Sequence, residues 1–178
     1  MVRTRALGID PGSRVTGFGV VEQRGYDLVY IGSGRLAPGD ALPFPARLKM
    51  IYQGLGEAID QYRPTEAAVE DLFFAKNAKS ALILGHARGV CLLAAENSGL
   101  PIFEYSPRQI KQSVVGYGAA AKEQVQEMVR LLLGLPERLP KDTSDALATA
   151  ICHLHTQGST ALRNGLMDRA GPNKDLEL

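Results

Sequence analysis

The first apolar run of the chain, which contains Leu7 and Ile9, ends on a carboxylate. Asp10 is followed at once by Pro11 and Gly12, and then by a second apolar run through Val20 and Val21. Two short apolar runs joined by a Pro-Gly turn read as consecutive strands. The segment therefore commits the chain to a sheet and places an acid at the end of a buried strand, with apolar sequence close on both sides. The local explanation of Asp10 is a turn cap, its side chain accepting backbone N–H bonds around Gly12 and Ser13. The alternative is a carboxylate kept for chemistry.

The rest of the chain extends the sheet. Residues 5–10, 14–24 and 27–36 read as three strands in succession. Past Pro43 and Pro45, the residues Leu48, Ile51, Tyr52, Leu55, Ile59 and Tyr62 recur at helical spacing and predict an amphipathic helix of about five turns. A short strand is expected over 66–72, a long helix over 77–98 and a strand over 101–105. A short helix then leads into a Gly-rich loop. Val125, Met128, Val129 and Leu132 mark the next helix, and Leu147, Ile151 and Leu154 the last. Residues 158–178 are Gly-, Asn- and charge-rich without period and are expected to form a disordered tail, leaving 1–157 as a single domain. The pattern gives an α/β fold with a mixed five-stranded sheet flanked by helices.

With 178 residues, 45% apolar and 22% charged, such a domain buries a core without disulfides or a structural metal. Cys91 and Cys152 fall in apolar helical stretches without metal-ligand spacing and read as reduced core thiols, which suits a cytoplasmic protein. Arg3 and Arg5 precede no signal-peptide core, and no apolar window is long enough to cross a bilayer, so neither export nor a membrane span is expected.

Three further acids bear on Asp10. Glu70 closes the fourth strand; if strands one and four are neighbours, the two acids meet at one edge of the sheet's ligand side. Asp142 and Asp145 stand three apart on the last helix and share a face turned away from Leu147, Ile151 and Leu154. Taken alone, acids in a first helical turn are accounted for by the helix dipole, at about 0.3–1 kcal/mol each, and Glu70 with Asp71 by a strand ending in solvent. Taken together, four crowded carboxylates repel one another and stay ionised only if cations hold them so. Oxygen donors without His or Cys select Mg²⁺ or Mn²⁺, and a pair of such ions about 3.5–4 Å apart suits phosphodiester hydrolysis. His86, His153 and His155 are not needed for this. His153 and His155 cannot share a helix face, which argues against a two-histidine zinc site.

The stretches GIDPGSRVTGFGV, VEDLFFAKNAKSALILGHARG, FEYSPRQIKQSVVGYGAAAKEQV and DTSDALATAICH resemble, in order and across about residues 5–156, the motifs of the RuvC family of crossover junction endodeoxyribonucleases. The resemblance implies a ribonuclease-H-like fold, a homodimer, and cutting of Holliday junctions, four-way junction DNA, with two divalent metal ions per subunit, Mg²⁺ or Mn²⁺. By motif it makes Asp10, Glu70, Asp142 and Asp145 the catalytic and metal-holding acids. It also implies a branch-migration motor complex as a partner in recombination and repair.

A DNA substrate requires local positive charge, because the net charge is only +1. Residues 72–95 carry Lys76, Lys79 and Arg88, and residues 105–122 carry Arg108, Lys111 and Lys122; neither stretch holds an acid. Uneven charge is common on helices, but Lys111 and Lys122 match family positions implicated in DNA contact. Of the adjacent pair Phe73 and Phe74, one is expected in the core and the other to stack on an unpaired base, a contact worth about 1–3 kcal/mol; Phe73 matches the family position for stacking. The apolar surplus of the 77–98 helix (Leu82, Ile83, Leu84, Val90, Leu92 and Leu93) makes it the candidate dimer interface.

Two other classes share parts of this pattern. GIDPGSRVTGFGV also resembles the phosphate loop of actin-like kinases and ATPases, which need a second similar domain that 178 residues do not accommodate. A protein that binds junctions without cutting them predicts a missing acid, and all four are present.

Overall fold

The computed structural model describes residues 3–71 and 77–169, with side chains described through residue 158. Strands β1 (Thr4–Asp10), β2 (Thr16–Arg24) and β3 (Asp27–Leu36) form an antiparallel meander, and β4 (Glu66–Glu70) and β5 (Ile102–Tyr105) run parallel to β1. The sheet order is β3-β2-β1-β4-β5. The helices are α1 (Phe44–Tyr62), α2 (Ala78–Asn97), α3 (Pro107–Val115), α4 (Lys122–Leu132) and α5 (Lys141–Arg169). This is the expected five-stranded mixed sheet, with strands one and four adjacent.

Alternation along the strands divides the interior in two. Leu7, Ile9, Phe18, Val20, Ala67 and Val69 face α1 and α2, packing on Ile51, Leu55, Ile59, Cys91 and Ala95. Ala6, Val21 and Ala68 face the other way, onto Ile110, Val114, Val125, Val129, Leu147, Ile151 and Leu154 of α3, α4 and α5. By the same parity Gly8, Asp10 and Glu70 belong to the second face. The acids therefore stand on the α5 side of the sheet.

That helix lies unusually low. A Cβ on Gly8 would sit 1.9 Å from the Ala146 carbonyl oxygen and 2.7 Å from the Ala150 nitrogen, and one on Gly17 would sit 2.0 Å from the Asp142 carbonyl oxygen. Strand glycines of this kind mark a close approach of another backbone. Here the absent side chains let the α5 backbone rest directly on β1 and β2.

α3 is fixed by a capping box: Ser106 Oγ accepts from the Gln109 N–H at 3.3 Å, and Gln109 Oε1 accepts from the Ser106 N–H at 2.9 Å. Cys91 and Cys152 are free and buried.

Two expectations are corrected. α5 does not stop near 157 but continues to Arg169; Ala161, Leu162, Arg163, Leu166 and Met167 are strong helix formers, and they prolong a helix already nucleated on the sheet. Residues 170–178 lie outside the described residues. And α2, with 20 residues, is long and apolar enough by length and composition to cross a membrane. Its Ala87, Cys91, Ala94 and Ala95 are instead buried in the core, while Leu82 and Leu93 are 65% and 51% exposed. Small residues fill the packed side of α2, so its large apolar residues are left over on the outer side.

Candidate active site

The last paired residues of β1 and β4 are Ile9 and Val69, so Asp10 and Glu70 follow side by side, on the α5 face. The first turns of α5, held down by Gly8 and Gly17, bring Asp142 and Asp145 over them. Glu70 and Asp145 line one cleft of about 260 Å³ with Pro107, Ile110 and Lys111 of α3, Lys122 and Val125 of α4, and Ala148.

Charge in this cleft is frustrated. Burial, followed by repulsion from Asp145, Glu70 and Asp142, pushes the Asp10 carboxyl up from 3.8 to about 7, with Lys122 opposing. Glu70 is raised by burial and by Asp145, against Lys122 and Lys111. Asp145 is raised by burial and further by Asp142, with Lys122, Lys141 and Lys111 acting in the opposite direction. The contrast is Glu22, buried in the same sheet but bracketed by Arg24 and Arg5 at 2.6 and 2.5 Å, which hold it below the ordinary carboxylate range. One buried acid has its cations built in; the cleft acids mostly face each other.

Among the described ion pairs, the basic groups drawn to these acids come from two different elements, α4 and β3. Lys122 Nζ is 3.9 Å from Asp145 Oδ2, and Arg35 Nη2 is 3.1 Å from Asp142 Oδ2. Among the described residues no three Asp, Glu, His or Cys side chains are already closed into a ligand cage. The donor set nonetheless fits divalent cations: hard carboxylate oxygens from three elements, in mutual repulsion that positive charge would relieve.

The other expected site residues fall into three groups. Lys111 and Lys122 line the cleft itself. Arg108 and Lys79 are exposed, Arg108 with its stem against Gly118 in the loop before α4 and Lys79 in the first turn of α2. Arg88 is committed inside the protein: it pairs with Glu104 and Asp71 and donates to the Glu70 carbonyl oxygen at 3.4 Å. That last bond ties α2 to the strand end carrying Glu70, which makes Arg88 a brace and not a free cation. Phe73, Phe74 and Lys76 lie outside the described residues.

Sequence reasoning passed over Gly8, Gly17 and Arg35. Alternating glycines in an apolar strand were the available signal for the first two. His153, not needed as a metal ligand, is buried, with Nδ1 2.8 Å from the Tyr105 hydroxyl and Nε2 bonded to Glu66. It ties α5 to β4 and β5, meeting β4 at Glu66, the end away from Glu70.

The family model for crossover junction endodeoxyribonuclease RuvC matches residues 6–153. The protein of that name from Sodalis glossinidius is 56% identical over 164 residues, covering 91% of this chain and 92% of its own length. That from Syntrophotalea carbinolica is 56% identical over 151 residues, covering 85% and 94%. The structure of Thermus thermophilus RuvC in complex with a Holliday junction substrate superposes with a TM-score of 0.84 at 35% identity, over 88% of this chain and 96% of that one. The yeast mitochondrial Holliday junction resolvase, at 14% identity and a TM-score of 0.69, shares the fold. A match that runs through nearly the whole folded chain, at more than half identity to curated members, shows that the chain belongs to the RuvC family of crossover junction endodeoxyribonucleases.

Proposed function

We propose that this protein is a structure-selective endodeoxyribonuclease that resolves four-way junctions by paired, symmetric nicks, using two divalent ions, Mg²⁺ or Mn²⁺, held by Asp10, Glu70, Asp142 and Asp145. The meeting of Glu70 and Asp145 on one cleft with a lysine wall, with Asp10 of β1 interacting with both, carries this reading.

When bound, such ions supply an activated water at neutral pH and charge stabilisation for the departing oxygen. The chain's own residues do the rest. Asp10 is central, flanked by Glu70 on the neighbouring strand and by the α5 pair above, so the four acids together would hold the ions with Asp10 at their middle. Lys111 and Lys122 lie along the cleft, where a phosphodiester would be drawn in and its growing negative charge opposed. The apolar wall of Ile110, Val125 and Ala148 limits water behind the reacting phosphate. In-line attack that expels the 3′ oxygen leaves a 5′ phosphate.

Junction resolution needs two cuts on strands of like polarity, and a two-fold homodimer supplies two identical sites related as those strands are. Leu82 and Leu93, about three helical turns apart on one side of α2 and largely exposed, support α2 as the dimer face. Replacing both by glutamate should weaken the dimer on the order of a hundredfold or more, because unpaired carboxylates would be buried in the interface. Sedimentation velocity would show monomer at concentrations where the parent is dimeric, and paired nicking would decay into uncoordinated single nicks. The reading also includes a branch-migration motor as a cellular partner.

The direct test is a synthetic four-way junction, end-labelled on each strand in turn, incubated with the protein across Mg²⁺ and Mn²⁺ titrations. Nicks at symmetric points on two strands, absent from linear duplex, are the expected result. Uncut junction at every metal concentration would overturn the proposal.

A further inference from the structure

Beside the first turn of α5, β3 carries a cation outside both acid-free basic stretches. Arg35 Nη2 lies 3.1 Å from Asp142 Oδ2, while 44% of its side chain remains exposed. Register explains the reach. The pairing of β3 with β2 shifts at Val20/Val21, and such a bulge moves the following residues to the opposite face. Tyr30 packs in the α5-side core and Ile31 in the other; beyond the shift Arg35 pairs with Gly17, and Gly17 with Asp10. One rung on the α5 face thus reads Arg35, Gly17, Asp10. Gly17 has no side chain to block the guanidinium, which crosses to the first turn of α5.

We propose that Arg35 is a counter-ion that a divalent cation displaces from Asp142, and that the freed guanidinium then takes a backbone phosphate of the bound DNA. The inference rests on the reading of Asp142 as a metal ligand. A carboxylate engaged by a divalent ion loses its attraction for a neighbouring guanidinium, and the ion itself repels it. Arginine stays charged and presents a planar fork that matches phosphate oxygens. Close by along the chain, Arg14 of the β1–β2 loop and Arg47 in the first turn of α1 share Asp40, at 3.6 and 3.3 Å. Linkage requires that metal and DNA then strengthen each other's binding.

Two measurements test this. The first is Mn²⁺ binding to the protein without DNA, followed by electron paramagnetic resonance of free Mn²⁺. Arg35→Gln removes a competing cation, so it should bind Mn²⁺ about two- to fivefold more tightly, the range of a partly exposed ion pair; a merely structural role would weaken metal binding or leave it unchanged. The second is junction affinity by fluorescence anisotropy in a cleavage-blocked Glu70→Gln background, with and without Arg35→Gln. In saturating Mn²⁺ the double variant should bind more weakly, with the slope of log affinity against log salt shallower by about one. In EDTA the two should bind alike, because Asp142 still holds Arg35. Unchanged Mn²⁺ affinity in Arg35→Gln, or an equal loss of junction affinity in EDTA and in Mn²⁺, overturns the inference alone. Mn²⁺ affinity indifferent to Asp142→Asn overturns the metal-ligand reading, and this inference with it.

Discussion

The Asp10→Asn variant will cut no junction, and in metal-free buffer at pH 8 it will be more stable than the parent protein. Both effects have one origin. Asp10 is buried against Asp145, Glu70 and Asp142, and its carboxyl is pushed up to about 7. A group whose folded value is raised binds its proton more tightly in the folded state. Its stabilising contribution is complete below the ordinary carboxylate value and is lost as the pH climbs through about 7. At pH 8 the folded protein therefore bears the whole cost of ionising Asp10 among its neighbours. At about 1.4 kcal/mol per pKa unit, less what Lys122 and residual water relieve, this is about 2–4 kcal/mol. Asparagine keeps the shape and removes the charge.

The gain in Asp10→Asn should shrink by more than half at pH 5, where the folded parent already carries the proton. It should shrink again in saturating Mg²⁺, which stabilises only the parent's intact ligand set. Calorimetric melts in EDTA at the two pH values, beside junction binding and cutting assays, check all of this. Junction binding should persist, since the basic wall is untouched. A variant that nicks at the parent rate would defeat the catalytic assignment; one that is less stable than the parent at pH 8 would defeat the electrostatic one.

The same acids show how far the sequence could be read. Strand positions were legible because each depends on local facts: period-two apolar runs in β1 and β2, and punctuation by Pro11-Gly12. The acid ending β1 was legible as an anomaly for the same reason. What the local pattern lacks is any record of pairing. Arg88 counts as a positive charge along the chain, yet Asp71 and Glu104 come to it from other elements and occupy it. Arg35 sits on the acid face only because β3 shifts register at Val20/Val21; strict alternation from Tyr30 would place it on the opposite face, toward α1. α2 was recognised as a helix with surplus leucines, but which side they cover depends on small residues winning the core positions. α5 outruns its expected end because helix propagation, once begun on the sheet, needs only good formers and no apolar stripe.

The glycines beneath α5 carry the largest structural consequence. Gly8→Ala is expected to cost about 3 kcal/mol or more, at or beyond the upper end of ordinary overpacking. Its Cβ would meet the carbonyl oxygen of Ala146 at 1.9 Å and the nitrogen of Ala150 at 2.7 Å, both main-chain atoms that no rotamer change can move aside. The helix must lift as a body or the strand must sink into α1 and α2. Gly56→Ala on α1 is the matched control: a Cβ there meets nothing within 4 Å, and a helical interior gains about 0.5–1 kcal/mol from the same exchange. The two alanines should shift urea midpoints in opposite directions. Activity distinguishes the Gly8 effect from simple loss of stability. Asp10 and Glu70 belong to the sheet and stay, whereas Asp142 and Asp145 ride on the displaced helix. A misplacement of about 1 Å in a catalytic constellation costs on the order of a hundredfold, so Gly8→Ala should nick at least that much more slowly even at temperatures where circular dichroism shows it fully folded. Parental cutting by a folded Gly8→Ala protein would mean that the height of α5 above the sheet does not set the geometry of the acids.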